Sequence, residues 1–192
     1  MADTNKVKFG LSKCYYAVAT IAADGSATYS TPVALPGAVS LSLAAEGDSS
    51  PFYADNIVYF TAVANNGYSG DLEIAKVPDS FLTDVLGYVA DENGVLVENA
   101  GASAVHFALL FQFEGDAHAR RHVMYNCTSA RPDVASNTTN ESIEPVTETL
   151  AITATTVWND DIDMDVVKAS VTPTESTQYE AWFNAVYQSA GL

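Results

Sequence analysis

The stretch GDLEIAKVPDSFLTDVLGY, residues 70–88, joins a strand pattern to a short helix pattern. Residues 71–74 alternate polar with apolar side chains, which is the period of a strand with one solvated face. Pro78 and Asp79 are typical of a helix start, and Gly87 is typical of a helix end. We expect a helix over about residues 78–86 that packs on a sheet through its apolar stripe. That stripe consists of Phe81, Leu82, Val85 and Leu86.

Strand patterns occur along most of the remaining chain. In VHFALLFQFEG, every second residue is apolar, which predicts the principal core strand. In TETLAITATTVW, Leu150, Ile152 and Ala154 share one side of a strand rich in threonine. Asn93-Gly94 predicts a type I′ hairpin turn. The sum predicts one mainly β domain over residues 1–192, a β-sandwich or partly closed barrel. The alternating residues of the core strand are Val105, Phe107, Leu109, Phe111 and Phe113.

The C-terminal residues show a second helix pattern, over about residues 177–188. Thr177 and Glu180 have the spacing of a capping box, and Gly191 would end the segment. The apolar stripe has helical spacing, and we interpret it as core packing in preference to a binding groove. The stripe consists of Tyr179, Trp182, Phe183, Val186 and Tyr187.

An extended hairpin arm is predicted at about residues 37–62. Leu41 and Leu43 alternate with Ser40 and Ser42, and Val39 continues the apolar side, which indicates a strand with one hydroxyl face. The segment EGDSSPF would form a loop or hairpin tip, and ADNIVYFTAV would return as the second strand. The alternative is an ordinary internal hairpin.

Charge is the most unusual property of the composition. The 192 residues contain 24 Asp and Glu against 8 Lys and Arg, a net charge of −16. Such a surface repels nucleic acid and anionic membranes. The apolar runs are too short to cross a bilayer, and MADTNKVKFG has no apolar signal segment, so we expect a cytoplasmic protein. Cys14 and Cys127 are expected to be buried reduced thiols, able to pair only if their strands lie side by side.

Motifs for catalysis or metal binding are weak. His118 and His122 have the spacing of a helical metal pair, but they lie in a predicted loop and strand. His106 is expected to be a satisfied hydrogen-bond partner. The acidic residues of NDDIDMDVVK do not have the spacing of an EF-hand loop. A calcium site of another kind is the remaining alternative for this segment. No nucleophile motif or phosphate loop is present, and the N-x-S/T sites (Asn126, Asn137, Asn140) matter only after secretion. The acids of NDDIDMDVVK are Asp161, Asp163 and Asp165. From the sequence we expect a protein that is not an enzyme and that binds no cofactor or metal.

Several stretches taken together resemble one family. In order, they are KVKFGLSKCYYAVAT, PGAVSLSLAAEGD, FYADN, NNGYSGDLEIAKVPDSFLTDVLG, DENGVLVENAG, FALLFQFEGD, RRHVMYNCTSARP, EPVTETLAITA and YEAWFNAVY. This series is similar to the major tail (tail tube) proteins of long-tailed, non-contractile (siphovirus-type) bacteriophages or prophages. The resemblance covers nearly the whole chain and is weakest at residues 133–142.

The resemblance implies a structural virion protein. It implies a β-sandwich flanked by a helix, hexameric rings whose strands join into a barrel around a lumen, and an extended loop that reaches the next ring. The helix at 78–86 would then cover one end or flank of the sandwich. Partners would be further copies of the chain, tape-measure and tail terminator or initiator proteins, and double-stranded DNA in transit without specific binding. Assembly would occur in the host cytoplasm, with no membrane involved.

The resemblance also suggests roles for individual residues. An acidic lining would keep DNA off the wall over about 8 Å at physiological salt. Lys6 and Lys8 would dock on an acidic neighbour. The lumen candidates are Asp55, Asp71, Glu73, Asp91, Glu98 and Glu114. The candidates for contact between rings are Glu46, Asp48, Pro51, Phe52 and Tyr53.

Two other functions fit the sequence. A carbohydrate-binding β-sandwich would stack sugars on exposed aromatic rings such as Tyr15, Tyr16, Tyr53 and Tyr68. The tube of a tail-derived bacteriocin or secretion device would share the architecture and carry a different cargo.

Overall fold

The computed structural model describes residues 9–114, 119–138, 145–174 and 176–191. The predictions for Lys6, Lys8, His118 and Asn140 lie outside these residues. The first strands are β1 (Leu11–Ile21), β2 (Ala27–Tyr29), β3 (Val33–Ala34), β4 (Ala38–Glu46), β5 (Ser49–Ala54), β6 (Ile57–Val63) and β7 (Gly67–Ile74). Helix α1 (Asp79–Asp84), β8 (Val89–Ala90), β9 (Leu96–Val97), β10 (Phe107–Phe113), β11 (Arg121–Ser129) and β12 (Glu148–Thr155) follow. The last elements are β13 (Val157–Asn159), β14 (Met164–Val166), β15 (Lys168–Val171) and α2 (Ser176–Ala181).

Within the described residues, nine strands form one antiparallel sheet. Its order is β2-β1-β10-β11-β12-β7-β4, with β3 paired to β1 and β15 paired to β11. The hairpins β5–β6, β8–β9 and β13–β14 are separate two-stranded pairs. The described strands include no pairing between β4 and the opposite end of the sheet, so the barrel is not closed. The prediction of a mainly β fold is confirmed.

The sheet curls around one apolar interior. Leu41 of β4, Leu72 of β7 and Leu150 of β12 are register partners that point inward. They share a cluster with Phe107 and Leu109 of β10, which lie in the other half of the sheet. Because both halves bury alternate residues in the same cluster, the sheet resembles a sandwich that is open along one side.

Helix α1 fills one end of this interior. The Phe81 ring meets Tyr16 and Phe107 edge-on, with centroid separations of 5.1 and 5.4 Å. Phe81 and Val85 are completely buried, and Leu86 is buried, whereas Leu82 is half-buried. The helix predicted at about 78–86 therefore exists in a slightly shorter form, and it closes the end of the sheet where β7 finishes and β10 begins.

The C-terminal segment covers the outer face of β1, β10 and β11. Trp182 is buried there, and its indole N–H donates to the His122 carbonyl at 3.2 Å. The helix predicted over 177–188 is wrong in extent, since α2 ends at Ala181 and the chain then turns to bring Trp182 onto the sheet. Thr177 lies inside α2 and does not precede it, so the predicted capping box is not in register. The predicted aromatic residues nevertheless pack in this outer cluster.

Two local predictions fail for identifiable reasons. A bulge between Ala38 and Ser40 shifts the register of β4 and leaves Val39 53% exposed, so it does not join the inward face. The Asn93-Gly94 turn is not type I′, because Gly94 has a positive φ of 78° and Asn93 does not. The Asp91 carboxylate organises this loop instead by accepting hydrogen bonds from backbone N–H groups.

Cys14 and Cys127 are free and buried. They lie on β1 and β11, which β10 separates, so the strands are not neighbours in the sheet. Burial raises the pKa of both thiols to about 12, and they remain protonated at neutral pH. In the described part of the chain, neither helix is long and apolar enough to cross a membrane.

Candidate assembly surfaces

The outward face of β4, β7 and β12 carries hydroxyl and carboxyl groups and is exposed to solvent. The register aligns Ser40 with Glu73 and Thr149, and it aligns Ser42 with Asp71 in the next row. These three strands contain no Lys or Arg. We name this surface the hydroxyl-acid face. Its polar residues are Ser40, Ser42, Glu46, Ser69, Asp71, Glu73, Thr149, Thr153 and Thr155.

Hydrogen bonds from neighbouring hydroxyls hold two acids of this face in place. The Glu73 carboxylate accepts from Thr147 Oγ1 at 2.6 Å and from Ser40 Oγ at 2.9 Å. These donors, Thr147 first, lower the pKa of Glu73 below its ordinary value. The Ser69 hydroxyl donates to the Glu46 carboxylate on the adjacent strand. The face is therefore both anionic and ordered.

The six lumen candidates are not brought together. Asp71 and Glu73 lie on the hydroxyl-acid face, and the other four lie elsewhere. Asp55 is at the β5–β6 turn, and Glu114 follows β10. The remaining two candidates, Asp91 and Glu98, have hydrogen-bond partners near the β8–β9 hairpin.

Asp91 and Glu98 stabilise the β8–β9 region. Asp91 Oδ1 accepts from the backbone N–H groups of Val95 at 2.7 Å and Asn93 at 2.9 Å, which lowers its pKa. Glu98 forms an ion pair with Arg131 and accepts from the Tyr88 hydroxyl at 3.2 Å. Arg131 is the main cause of the lowered pKa of Glu98. These contacts give both acids a structural role in the monomer.

Sequence reasoning missed the hydroxyl rows of β12 and the position of Glu46. Glu46 was assigned to the arm, but it is the last residue of β4 and lies on the hydroxyl-acid face. The alternation of Ser40 and Ser42 was visible in the sequence. The pairing that places Thr149 and Thr153 opposite Glu73 and Ser69 of β7 was not visible, because β12 and β7 are far apart in the sequence.

A hairpin of apolar residues projects from the sheet between β4 and β7. It consists of β5 and β6, which pair with each other and with no further strand in the described chain. Asp55 and Asn56 form its two-residue turn with φ of 52° and 62°, both in the left-handed region, as in a type I′ turn. The predicted arm differs in its boundaries, since Ala38–Glu46 belongs to the main sheet and EGDSSPF is not the tip.

Apolar exposure on this hairpin is large. Tyr59 is 72% exposed, and Phe60 is 63% exposed. A lone two-stranded hairpin is marginally stable in water, and a contiguous apolar patch marks an interaction surface. Of the arm candidates, Pro51, Phe52 and Tyr53 lie on β5, and Asp48 lies just before it. The other exposed apolar residues are Ile57, Val58 and Val63.

The features proposed for other functions are dispersed. Tyr16 is in the core, Tyr15 stacks on Phe183, Tyr53 is on the hairpin, and Tyr68 is half-buried, so they do not form one sugar platform. His106 Nδ1 lies 2.7 Å from the Asn126 side-chain oxygen, so the histidine has a hydrogen-bond partner within the sheet.

Metal-binding groups are also dispersed. Asp161 and Asp163 lie in the turn between β13 and β14, and Asp165 lies on β14. Within the described ranges, no group of three or more His, Cys, Asp or Glu side chains could hold a metal ion.

Among the described residues, the exposed polar sheet face and the projecting apolar hairpin are surfaces suited to contact with other chains. A family model described as phage tail tube protein matches residues 2–189, and the chain belongs to that family. It is thus a virion tail component that assembles into the tail tube with other tail proteins, and the family's role is structural. A search of curated proteins found no match.

Proposed function

We propose that copies of this chain form hexameric rings that stack into the tail tube of a siphovirus-type phage, the conduit for DNA ejection. The hydroxyl-acid face would line the bore. Its exposure, with none of the described elements packed over it, is the observation that carries the proposal, because the outer face of β1, β10 and β11 is covered by the C-terminal segment. Tape-measure and terminator or initiator proteins would set the length and ends, with assembly in the host cytoplasm.

The chemistry of this face suits a conduit for DNA. Six copies at −16 each carry −96 per ring, part of which would face the bore. Carboxylates repel the phosphate backbone over about 8 Å at physiological salt. Short hydroxyl side chains between the acids give a hydrated surface without basic groups that would bind phosphate. Double-stranded DNA would therefore pass without specific binding.

Association must overcome the repulsion between copies. Strand β4 is an edge of the main sheet, so its outer backbone groups are available for pairing with another copy. The β5–β6 hairpin offers apolar area for contact with a neighbouring copy, and its turn would reach the next ring. Obligate interfaces of more than about 2,000 Å² supply enough burial for stable assembly.

Negative-stain microscopy of the purified chain tests this function. Hollow tubes or six-fold rings are expected at high protein concentration. A monodisperse monomer under all conditions, together with its absence from purified virions, would contradict the proposal. A tube that never carries DNA would instead favour a tail-derived particle with another cargo.

A further inference from the structure

The end of the apolar interior opposite α1 opens into a groove. Strand β10 begins at Phe107, which touches α1, and finishes at Phe113, so the two ends of this strand mark the two ends of the interior. The groove has a volume of about 330 Å³, and six of its nine described lining residues are apolar or aromatic, the others being Ser42, His122 and Lys168. The six are Leu41, Leu43, Tyr68, Phe111, Phe113 and Met124.

The charged side chain at the groove is basic, whereas most charged side chains of the protein are acidic. Lys168 lies at the rim of the groove, with its ammonium 4.6 Å from the centre of the Tyr68 ring. No carboxylate is among the described lining residues. In a chain of net charge −16, this is an apolar site with a positive rim. A matching occupant would be apolar and carry acidic groups.

The β5–β6 hairpin has this chemistry. Phe52 and Phe60 lie directly opposite each other on its two strands, and both are more than 60% exposed. The segment 46–66 contains Glu46, Asp48 and Asp55 and no Lys or Arg. The groove and the hairpin are therefore complementary in both polarity and charge.

The hairpin and the groove are at the same end of the molecule. The hairpin leaves the sheet between Glu46 and Gly67, which are register partners at the end of β4 and the start of β7. Tyr68, a groove residue, is the next residue along the chain. Copies placed side by side at one level would therefore present the hairpin of one molecule next to the groove of its neighbour.

We propose that in the assembled tube this groove is filled by the β5–β6 hairpin of a neighbouring copy in the same ring. The Phe52–Phe60 pair enters the groove, and Lys168 faces the acids that flank the hairpin. Hairpin and groove are different surfaces, so the contact is head-to-tail and continues from copy to copy until a ring closes. The inference rests on the proposed function. It leaves the Asp55-Asn56 turn available for contact with the next ring.

Disulfide trapping between copies tests the contact. Leu43 lines the groove and is half-buried, and Ser50 lies exposed on the hairpin on the same side as Phe52, so Leu43→Cys and Ser50→Cys place thiols on the two surfaces of the proposed contact. The two variants are purified separately, one with a mass tag, mixed, assembled and oxidised mildly. The native thiols give little background because both are buried and protonated at neutral pH.

The expected result is a disulfide dimer of the two different variants, found in assembled rings or tubes. The matched control pairs Leu43→Cys with Val97→Cys, since Val97 is 51% exposed on the β8–β9 hairpin, and this pair should not cross-link. Rings or tubes that form normally without the disulfide between positions 43 and 50 would overturn the inference and leave the proposed function standing. Failure of the unmodified chain to assemble at all would contradict both.

A second measurement concerns the energy of the contact. Phe60→Ser should raise the protein concentration needed for assembly roughly ten-fold or more, since one buried aromatic side chain is lost. Val97→Ser is the control and should leave that concentration within about two-fold. Circular dichroism and thermal melts should be unchanged in both, because neither residue is in the core. An equal effect of the two variants would overturn the inference.

Discussion

The Ser40 hydroxyl donates a 2.9 Å hydrogen bond to the Glu73 carboxylate, and this bond joins β4 to β7 across the hydroxyl-acid face. Thr147 completes the arrangement with a second donor at 2.6 Å. An exposed carboxylate usually moves freely in solvent, whereas this one is fixed and its charged form is favoured. The face is thus prepared in the monomer to present stable negative charge.

The pH dependence of stability should report these bonds. The pKa of Glu73 is lower in the folded chain than its ordinary value of 4.5, so the carboxylate stabilises the fold above that pH. The stabilisation is lost as the pH falls through the folded pKa. We expect Glu73→Gln and Thr147→Val to unfold more readily than the unmodified chain at pH 7, with the difference closing as the pH falls from 4.5 through the lowered pKa of the folded state.

Denaturant titrations from pH 3 to pH 7 measure this effect. Thr149→Val is the matched control, because Thr149 lies opposite Glu73 in the register and has no hydrogen bond to it in the described structure. A constant difference between the unmodified chain and Thr147→Val over the whole pH range would contradict the assignment.

Charge reversal on the hydroxyl-acid face should affect DNA and leave assembly intact. Asp71→Lys would add one cation per subunit to the bore and attract phosphate. We expect tubes of normal shape that bind double-stranded DNA at low salt, and phages that eject DNA more slowly. The measurements are co-sedimentation and ejection kinetics.

Asp133→Lys is the control for this experiment, since it makes the same charge change at an exposed residue outside the sheet. Equal effects of the two variants would indicate a general effect of net charge. Normal ejection by Asp71→Lys phages would count against an acidic lining at this position.

Helix α1, which fills one end of the apolar interior, should be essential for a folded monomer. Phe81→Ala is expected to lower the free energy of unfolding by about 3–5 kcal/mol, because the ring is completely buried between Tyr16 and Phe107. The double variant Phe81→Asp, Val85→Asp should give aggregates or unfolded chain. Asp79 on the same helix is exposed, so Asp79→Asn should change the free energy of unfolding by less than about 0.5 kcal/mol. Ordered tubes from the double Asp variant would refute the role given to α1.

Arg121 should hold the C-terminal segment on the sheet. Its guanidinium lies 3.7 Å from the centre of the Tyr179 ring and 4.8 Å from that of Phe183, and it donates to Gln112 Oε1 at 3.0 Å. Lysine cannot reproduce this planar arrangement. We expect Arg121→Lys to speed hydrogen exchange of α2 amides by roughly ten-fold, a loss of about 1.4 kcal/mol. Arg120→Lys, at the exposed neighbouring position, should leave exchange unchanged, and equal rates in the two variants would argue against the assignment.

Alternating patterns predicted which residues of β10 and β12 point to the interior, although β10 also buries its other face under the C-terminal segment. Phe107 and Leu109 of β10 were expected to point inward, and both are completely buried. The same holds for Leu150 and Ile152 of β12, which are completely or almost completely buried. These predictions succeed because a two-residue period specifies which face is apolar without knowledge of the strand partners. The short helix was visible for a similar reason, since its apolar stripe and its end signals agree.

The remaining errors come from interactions between distant parts of the chain. Val39 is exposed because of a bulge that depends on pairing with β7, and α2 ends early because Trp182 packs on β11. The hydroxyl-acid face likewise requires three strands whose order in the sheet does not follow the sequence. Acidic residues alone could not distinguish Asp71 on that face from Asp91, which stabilises a turn.

High-resolution cryo-electron microscopy of assembled tubes or purified tails would show directly which face of the sheet lines the bore. We expect Asp71, Glu73 and the serines of β4 to face the bore, with the C-terminal segment towards the outside. A reconstruction in which β4, β7 and β12 face outward, or are covered by another subunit away from the bore, would contradict this expectation.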